Sequence, residues 1–195
     1  MAPEKAMQSD VRFDQRQFRR WLDDRPAYDL NHYELIEGRI AMTPPAGRPH
    51  GRVAARITSR LERHVHKHGL GVVLDSSTGY ELPSGDTVEP DVSFISAQSF
   101  ARGPRPVAGQ FLRIVPNLVV EILSPSTARR DRTEKKKLYQ ANGVEEYWIV
   151  DSARASVTVF HLGKRGYGGR SVSEGKVRSR VVPDFQMQIE EIFSD

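Results

Sequence analysis

The sequence predicts an α/β fold of the α+β kind, a mixed β-sheet flanked by helices, with β-hairpin additions at both ends. Short apolar or alternating runs, typical of strands, are interspersed with segments whose apolar residues recur every three or four positions, as in helices. One run, NLVVEIL at 117–123, is apolar enough for a central strand that is covered on both faces.

The composition is that of a soluble globular protein with a sizeable core. The 195 residues are 38% hydrophobic and 28% charged, and the mean hydropathy is -0.53. The lack of cysteine excludes disulfides, thiolate metal sites and a cysteine nucleophile. No apolar run is long enough to cross a bilayer, and the N-terminus has no secretory signal pattern. We therefore expect a cytoplasmic protein without a membrane partner.

The charge is compatible with a polyanionic partner. The net charge is +4 and the isoelectric point is about 9.5. Basic residues crowd the segment 102–137, whereas the last dozen or so residues are acidic. On charge alone, a solvated basic face explains this pattern as well as a binding surface does.

The first third of the chain predicts a helix, a hairpin and a long helix. We expect residues 1–10 to be disordered and residues 11–195 to form a single domain. Apolar residues at helical spacing predict a short amphipathic helix over 13–24. The stretch 33–42 predicts two strands joined by a tight turn at Glu37 and Gly38.

A long helix and three strands follow. From about residue 48 to 68 an apolar residue recurs at every fourth position, which predicts a helix with a basic opposite face that ends at Gly69. Strands are expected near 71–75, 78–82 and 88–95.

The second half predicts a loop, a buried strand and a helix that returns across the sheet. The segment 96–116 is rich in Gly, Pro and Arg and predicts a long mobile loop before the strand 117–124. Asp131 with Glu134 resembles a capping box, and Gly143 closes this helix. Strands at 145–151 and 156–162 and a final pair around 166–170 and 176–182 complete the sheet.

Glu121 is the most informative single residue, because it interrupts an otherwise apolar strand. A buried carboxylate without a partner costs several kcal/mol, so it requires a cation, a hydrogen-bond network or a raised pKa. The alternative is a strand-end carboxylate paired with an arginine. Asp91 repeats the pattern, since it precedes the apolar run VSFI. Two such acids on neighbouring strands suit a hard cation such as Mg²⁺ or Mn²⁺ and phosphate chemistry.

A lysine is available to complete such a site. The helix after the Glu121 strand carries Lys135 and Tyr139 four residues apart, hence on one face. If the helix packs back across the sheet, the Lys135 ammonium can orient a water molecule or offset charge on a phosphate. For Lys136 and Lys137 a solvated face is the simpler interpretation.

Several stretches together resemble one family. EPD at 89–91, VVEILSPST at 119–127, DRTEK at 131–135 and GVEEYWIVD at 143–151 resemble the Uma-two family of restriction endonucleases, part of the PD-(D/E)XK nuclease superfamily. The resemblance covers about residues 28–193. It implies a restriction endonuclease-like core and a metal-dependent endonuclease acting on nucleic acid.

The resemblance also implies roles for particular residues. Asp91, Glu121 and the Ile122 carbonyl are expected to bind Mg²⁺ (or Mn²⁺). The superfamily pattern places a lysine two residues after the second acid, where this chain has Leu123; the resemblance shifts that role to Lys135 on the following helix. Glu34 matches a further acidic position and is expected to be a catalytic carboxylate or, equally, a strand-edge surface residue.

Three basic residues are expected to contact substrate phosphates. Arg129 and Arg130 lie between the Glu121 strand and the Lys135 helix, and His50 begins the long helix. The alternative for the two arginines is a solvated turn, and the alternatives for His50 are contact with the metal site and a helix cap. The sequence leaves three functions open: a DNA endonuclease, which can pair as a homodimer; a non-catalytic nucleic-acid-binding or interaction module; and a hydrolase of another phosphodiester.

Overall fold

A six-stranded mixed sheet lies at the centre of the computed structural model, which describes residues 7–194. Its strands are β4 (Gly71–Asp75), β7 (Val92–Ser96), β8 (Leu118–Ile122), β9 (Glu146–Asp151), β10 (Ser156–Gly163) and β11 (Gly166–Val172). Across the sheet their order is β11-β10-β9-β8-β7-β4. The central neighbours β8 and β9 are parallel and the other pairs are antiparallel.

A second sheet of five short strands contains the N-terminal hairpin. Its strands are β1 (Met7–Arg12), β2 (His32–Ile36), β3 (Arg39–Thr43), β5 (Tyr80–Glu81) and β6 (Thr87–Val88). Their order is β1-β3-β2-β6-β5, and every pair is antiparallel. Two further short strands, β12 (Lys176–Arg178) and β13 (Gln186–Gln188), form a separate ribbon near the C-terminus.

Helices cover both faces of the six-stranded sheet. A π-helical turn, Asp131–Lys135, joins two of them into one continuous helical stretch. Among residues 7–194, no helix has the length and apolar character needed to cross a bilayer. The helices are α1 (Gln15–Asp23), α2 (His50–His68), α3 (Ala97–Arg102), α4 (Ala128–Arg130), α5 (Lys136–Ala141) and α6 (Ile189–Phe193).

Strand β8 separates two layers of the core. Val120 and Ile122 pack in the cluster that contains the apolar stripe of α2. Val119 packs in the opposite cluster, together with Leu138 and Tyr139 of α5. Because side chains alternate along a strand, Glu121 lies on the same face as Val119 and therefore under α5.

The predicted mixed sheet flanked by helices is confirmed, and so are several of its elements. The tight turn has φ of 51° at Glu37 and 75° at Gly38, as a type I′ hairpin requires. Helix α2 spans residues 50–68 and ends at Gly69, whose φ of 62° is left-handed. The α1 helix and strands β4, β8, β9 and β10 also lie where the sequence predicts them.

The prediction of disorder over residues 1–10 is wrong for residues 7–10, and residues 1–6 lie outside the described part. Residues 7–10 belong to β1, whose Met7 and Gln8 pair with Met42 and Ala41 of β3. This edge strand is largely exposed, so it is held by backbone pairing and leaves little apolar pattern in the sequence.

The strand expected over 88–95 is two strands in different sheets. β6 ends at Val88 in the five-stranded sheet, and β7 begins at Val92 in the six-stranded sheet. Pro90 lies between them and has no N–H to donate to a strand ladder. Asp91 is consequently held at a crossing between sheets. The strand expected over 78–82 is shorter in the structure, where β5 contains only two residues.

Three further predictions require correction. The proposed capping box at Asp131 is wrong: the helical stretch begins at Ala128, where the Ser124 hydroxyl accepts from the Thr127 N–H in the preceding turn. Asp131 instead lies buried in the π-helical turn. The loop expected over 96–116 contains α3, which the Ser96 hydroxyl caps. The strands near 166–170 and 176–182 do not pair together, because β11 pairs with β10 and β12 with β13.

Candidate active site

All the site residues expected from the sequence except Arg129 line one cleft at the ends of β7 and β8. In the β7–β8 pairing Val92 lies opposite Val120, so the next position outward sets Asp91 beside Glu121. Strand alternation directs Glu121 to the face covered by the helical stretch 128–141, whereas Asp91 lies just outside β7 and contacts the Ile122 N–H and His50. Lys135 reaches the same point from the π-helical turn.

Lys135 links two buried carboxylates. Its Nζ lies 2.5 Å from Oε1 of Glu121 and 2.8 Å from Oε1 of Glu34. The Lys135 side chain is 3% exposed, so these contacts replace its hydration. Tyr139, one turn further along, donates its hydroxyl to Oε1 of Glu121 at 2.7 Å. Glu34 is therefore part of the cluster and is not a surface residue.

Glu34 is held on both of its carboxylate oxygens. Its Oε1 accepts from the backbone N–H of Glu89 at 3.0 Å. Its Oε2 lies 3.6 Å from Nη2 of Arg130, which also donates to the Thr43 hydroxyl at 2.7 Å. The buried Nε of Arg130 has no hydrogen-bond partner in the described part of the chain. Arg130 therefore has a donor available at the site.

Asp91 is oriented from both neighbouring elements. Its Oδ2 accepts from the Ile122 N–H at 2.7 Å and lies 3.2 Å from Nε2 of His50. Burial lowers the pKa of His50, but the hydrogen bond and charge of Asp91 and a hydrogen bond to the Ile122 carbonyl outweigh it, so the pKa is raised. His50 thus favours a positive charge between Asp91 and Ile122.

The cluster holds more negative charge than Lys135 can neutralise. Burial raises the pKa of Glu121 well above its usual value; Lys135 opposes this shift, while Asp131, Asp91 and Glu34 add to it. Burial lowers the pKa of Lys135, but Glu121, Glu34 and Asp131 outweigh burial and raise it. Lys135 is therefore a permanent cation, and the carboxylates compete for it.

An open cleft of about 1220 Å³ leads to this cluster. Both Asp91 and Glu121 line it, and the Asp91 side chain, at 17% exposed, is more open to a ligand than that of Glu121, at 6%. Carboxylates outnumber lysine and arginine in its described lining, which favours a cation within the cleft. The acidic side chains are Glu34, Glu62, Asp75, Glu89, Asp91, Glu121 and Asp131, and the basic ones are Arg48, Arg130 and Lys135.

Of the three basic residues expected to contact substrate phosphates, two line the cleft and one does not. His50 and Arg130 line the cleft. Arg129 is exposed and does not appear in the described lining. Asp131 lines the cleft although the sequence assigned it to a cap. Its spacing of four residues before Lys135, which puts both on one helix face, is the signal that identifies it.

The donor set fits a small divalent cation. Mg²⁺ commonly binds one or two protein carboxylates and keeps several waters, and Asp91 with Glu121 supplies such a pair beside the Ile122 carbonyl. Within residues 7–194 no three His, Cys, Asp or Glu side chains already converge as a metal cage. Lys135 lies between Glu34 and Glu121, which keeps these two carboxylates from forming one.

Sequence comparison supplies a family for this arrangement. The model of the Uma2 family, described as "Putative restriction endonuclease", matches residues 16–190. The chain belongs to the Uma2 family. The match includes every residue of the cluster, from Glu34 to Tyr139. No curated protein matches the sequence.

A solved structure shares the fold of this Uma2 protein. It is a crystal structure described as "a putative nuclease belonging to DUF820" from Anabaena variabilis. The two chains are 17% identical, and the match covers 93% of this chain and 98% of that chain with a TM-score of 0.78. At this identity the likeness establishes the shared fold.

Proposed function

We propose that this Uma2 protein is a metal-dependent endonuclease that hydrolyses phosphodiester bonds of DNA. One observation carries the proposal: two carboxylates on adjacent strands, Asp91 and Glu121, line an open cleft beside a buried lysine, Lys135. The family description points to the same reaction. A buried, charge-rich arrangement of this kind is costly for stability, so a function accounts for it better than packing does.

The metal is assigned to the Asp91 side of the cluster. Asp91, Glu121 and the Ile122 carbonyl would hold Mg²⁺ (or Mn²⁺). When bound, the ion supplies Lewis-acid activation of water and neutralises charge on the phosphate. Burial, together with repulsion from Asp131, Asp91 and Glu34, raises the pKa of Glu121, and a divalent cation would favour its ionised form, which supports this assignment.

The protein's own residues divide the remaining work. The Lys135 ammonium faces the reacting phosphate and orients the attacking water. Glu34 fixes that ammonium at 2.8 Å, while Tyr139 fixes the Glu121 carboxylate. Arg130, whose side chain lines the cleft, donates from its guanidinium to a phosphate oxygen of the substrate.

Two further residues are assigned to substrate handling. His50 holds Asp91 and lies at the cleft, where it contacts the substrate phosphate or the leaving group. Arg129 is exposed next to Arg130 and contacts the flanking phosphate backbone. Because the chain offers one such cluster in its described part, we also propose that two copies pair to cut both strands.

The decisive experiment is a cleavage assay with plasmid, linear and single-stranded DNA and with RNA, in Mg²⁺, in Mn²⁺ and after EDTA. We expect metal-dependent cleavage of DNA by the wild type. Asp91→Asn and Glu121→Gln, which keep side-chain shape, should abolish it. If only RNA or only a small phosphodiester were cleaved, the proposed DNA substrate would be wrong. Binding of DNA without turnover in any metal would make the protein a binding module.

Glu146→Gln is the matched control. Glu146 is a fully buried glutamate of the same sheet. Its carboxylate accepts hydrogen bonds from the Trp148 indole N–H and the Arg180 backbone N–H, away from the cleft. We expect this variant to keep its activity if it folds, as judged by its circular dichroism. Equal loss of activity in E146Q and E121Q, with both folded, would contradict the assignment of Glu121.

A further inference from the structure

Helix α2 carries a row of basic side chains along its solvent side. Arg52, Arg56, Arg60, Arg63 and Lys67 are spaced by four, four, three and four residues. At 3.6 residues per turn this spacing keeps all five on one side of the helix. The buried stripe of α2 faces the sheet, so the basic row is separate from the side chains that fix the helix in place.

The row, apart from Lys67, forms one wall of a groove between α2 and the C-terminal segment, with a volume of about 550 Å³. Arg56 donates to the carbonyls of Ile192 and Ser194, which holds its guanidinium in the groove. Arg60 pairs with Glu191 at 2.9 Å, and both side chains are exposed enough for a pair that contributes little. The groove therefore keeps a positive excess.

The groove is continuous with the cleft. Ala55 and Ser59 line both of them, and Gly51 lines the cleft one turn earlier. These residues lie between the basic row and the acidic site, and their short side chains project little from the helix backbone. An extended ligand that crosses from the groove to the cleft passes over Ala55 and Ser59 and beside Glu62, the carboxylate that α2 contributes to the cleft.

The groove and the cleft have opposite charge, which bears on how a nucleic acid could bind. The carboxylate-rich cleft repels a polyanion, so a nucleic acid needs an attractive contact outside it. Phosphate contacts from Lys and Arg supply most of the sequence-independent affinity for DNA. The row on α2 is a basic surface that adjoins the cleft in the described part of the chain.

We propose that this row binds the phosphate backbone of duplex DNA and thereby places the duplex across the cleft. The inference rests on the proposed nuclease function and adds the part of the molecule that supplies affinity. From Arg52 to Lys67 the helix rises about 22 Å, which spans about 7 base pairs of duplex. A backbone strand lying along the row therefore meets successive basic side chains.

The test measures binding without cleavage, in EDTA, over a range of salt concentrations. The double variant Arg52→Gln and Arg63→Gln removes two charges that make no hydrogen bond or ion pair within the described chain. We expect its plot of log K against log salt for a duplex of about 20 base pairs to be less steep by about 2. Its hydrolysis of bis(p-nitrophenyl) phosphate, which reaches only the cleft, should stay at the wild-type rate.

Arg165→Gln with Arg170→Gln is the charge-matched control. Both residues are exposed at the β10–β11 hairpin, on the far edge of the sheet from α2. An equal change of slope in this control would reduce the effect to net charge and overturn the proposal. So would an unchanged slope in the α2 variant, or equal losses for duplex and for single-stranded DNA or RNA of that length.

The two proposals fail in different ways. If the wild type binds duplex DNA through α2 but hydrolyses neither DNA nor the small phosphodiester in Mg²⁺ or Mn²⁺, the nuclease function is wrong and the binding row stands. If the wild type cleaves DNA and the α2 variant binds like the wild type, the binding row is wrong and the nuclease function stands.

Discussion

At the scale of single residues, the site depends on the balance between one buried ammonium and several carboxylates. Lys135 contacts Glu34 and Glu121, whereas Asp91 accepts a hydrogen bond from a backbone N–H and pairs with His50. Each carboxylate thus has a separate reason to be tolerated in the fold. The arrangement also leaves Asp91 and Glu121 adjacent, which is where an added cation gains most.

Lys135→Met tests this balance through stability. Removing the ammonium leaves Glu34 and Glu121 buried without their shared partner, so we expect a loss of about 3–5 kcal/mol in the free energy of unfolding. Adding Glu121→Gln should recover part of that loss, because one of the two carboxylates becomes neutral. Urea unfolding measures both. Lys137→Met, at an exposed position of the same helix, should change stability by less than about 0.5 kcal/mol.

Tyr139→Phe separates a structural effect from an effect on the metal. Its hydroxyl donates to Glu121, so its loss should cost about 1 kcal/mol of stability and raise the metal concentration for half-maximal cleavage about 10-fold. Tyr167→Phe is the control, since that hydroxyl donates at 2.7 Å to the Val144 carbonyl outside the cluster. A similar stability loss with an unchanged metal requirement is expected there; the same metal requirement in both variants would contradict the role of Tyr139.

Several of these residues could be identified from the sequence because they violate local pattern. Glu121 and Asp91 interrupt apolar runs, and Lys135 follows at the right helix face. Asp131 could not, because its position before a helical run also fits a cap. The hydrogen bonds of the preceding turn, which start the helix at Ala128, are not visible in residue types alone.

At the scale of elements, the local patterns determined the pieces but not their pairing. The stripe of α2 and the apolar run of β8 identify themselves by period and length. The division of 88–95 between two sheets depends on long-range pairing, with β6 against β2 and β7 against β8. No periodicity signals that change, although it is what sets Asp91 beside Glu121.

The start of β4 offers a test of how tightly these strands are held. A Cβ at Gly71, whose φ is 149°, would lie 2.1 Å from the Ile95 carbonyl oxygen. We expect Gly71→Ala to cost about 3 kcal/mol or more, because β4 must shift from its partner β7. Gly69→Ala, at a φ of 62° with open space around the Cβ, should cost only about 1 kcal/mol. Thermal or urea unfolding compares them, and equal costs would contradict the close β4–β7 contact.

At the scale of the whole molecule, the fold distributes opposite charges on two connected surfaces. The central sheet presents its carboxylates into the cleft, and α2, packed on the other face of that sheet, presents its basic row to solvent. Neither surface is evident from the net charge of +4, which averages over both. A cation bound in the cleft would reduce the local repulsion without altering the basic row.

Metal binding should therefore stabilise the folded protein even without substrate. A ligand present at about 100 times its Kd adds about 2.7 kcal/mol, which for a chain of this size raises the melting temperature by about 5–10 °C. We expect that rise on adding Mg²⁺ or Mn²⁺ to the wild type and its reversal by EDTA. Asp91→Asn should remove the rise, whereas Asp184→Asn, at an exposed turn whose φ of 58° suits asparagine, should keep it. A rise of equal size in both variants would place the cation elsewhere and separate the cleft from its proposed metal.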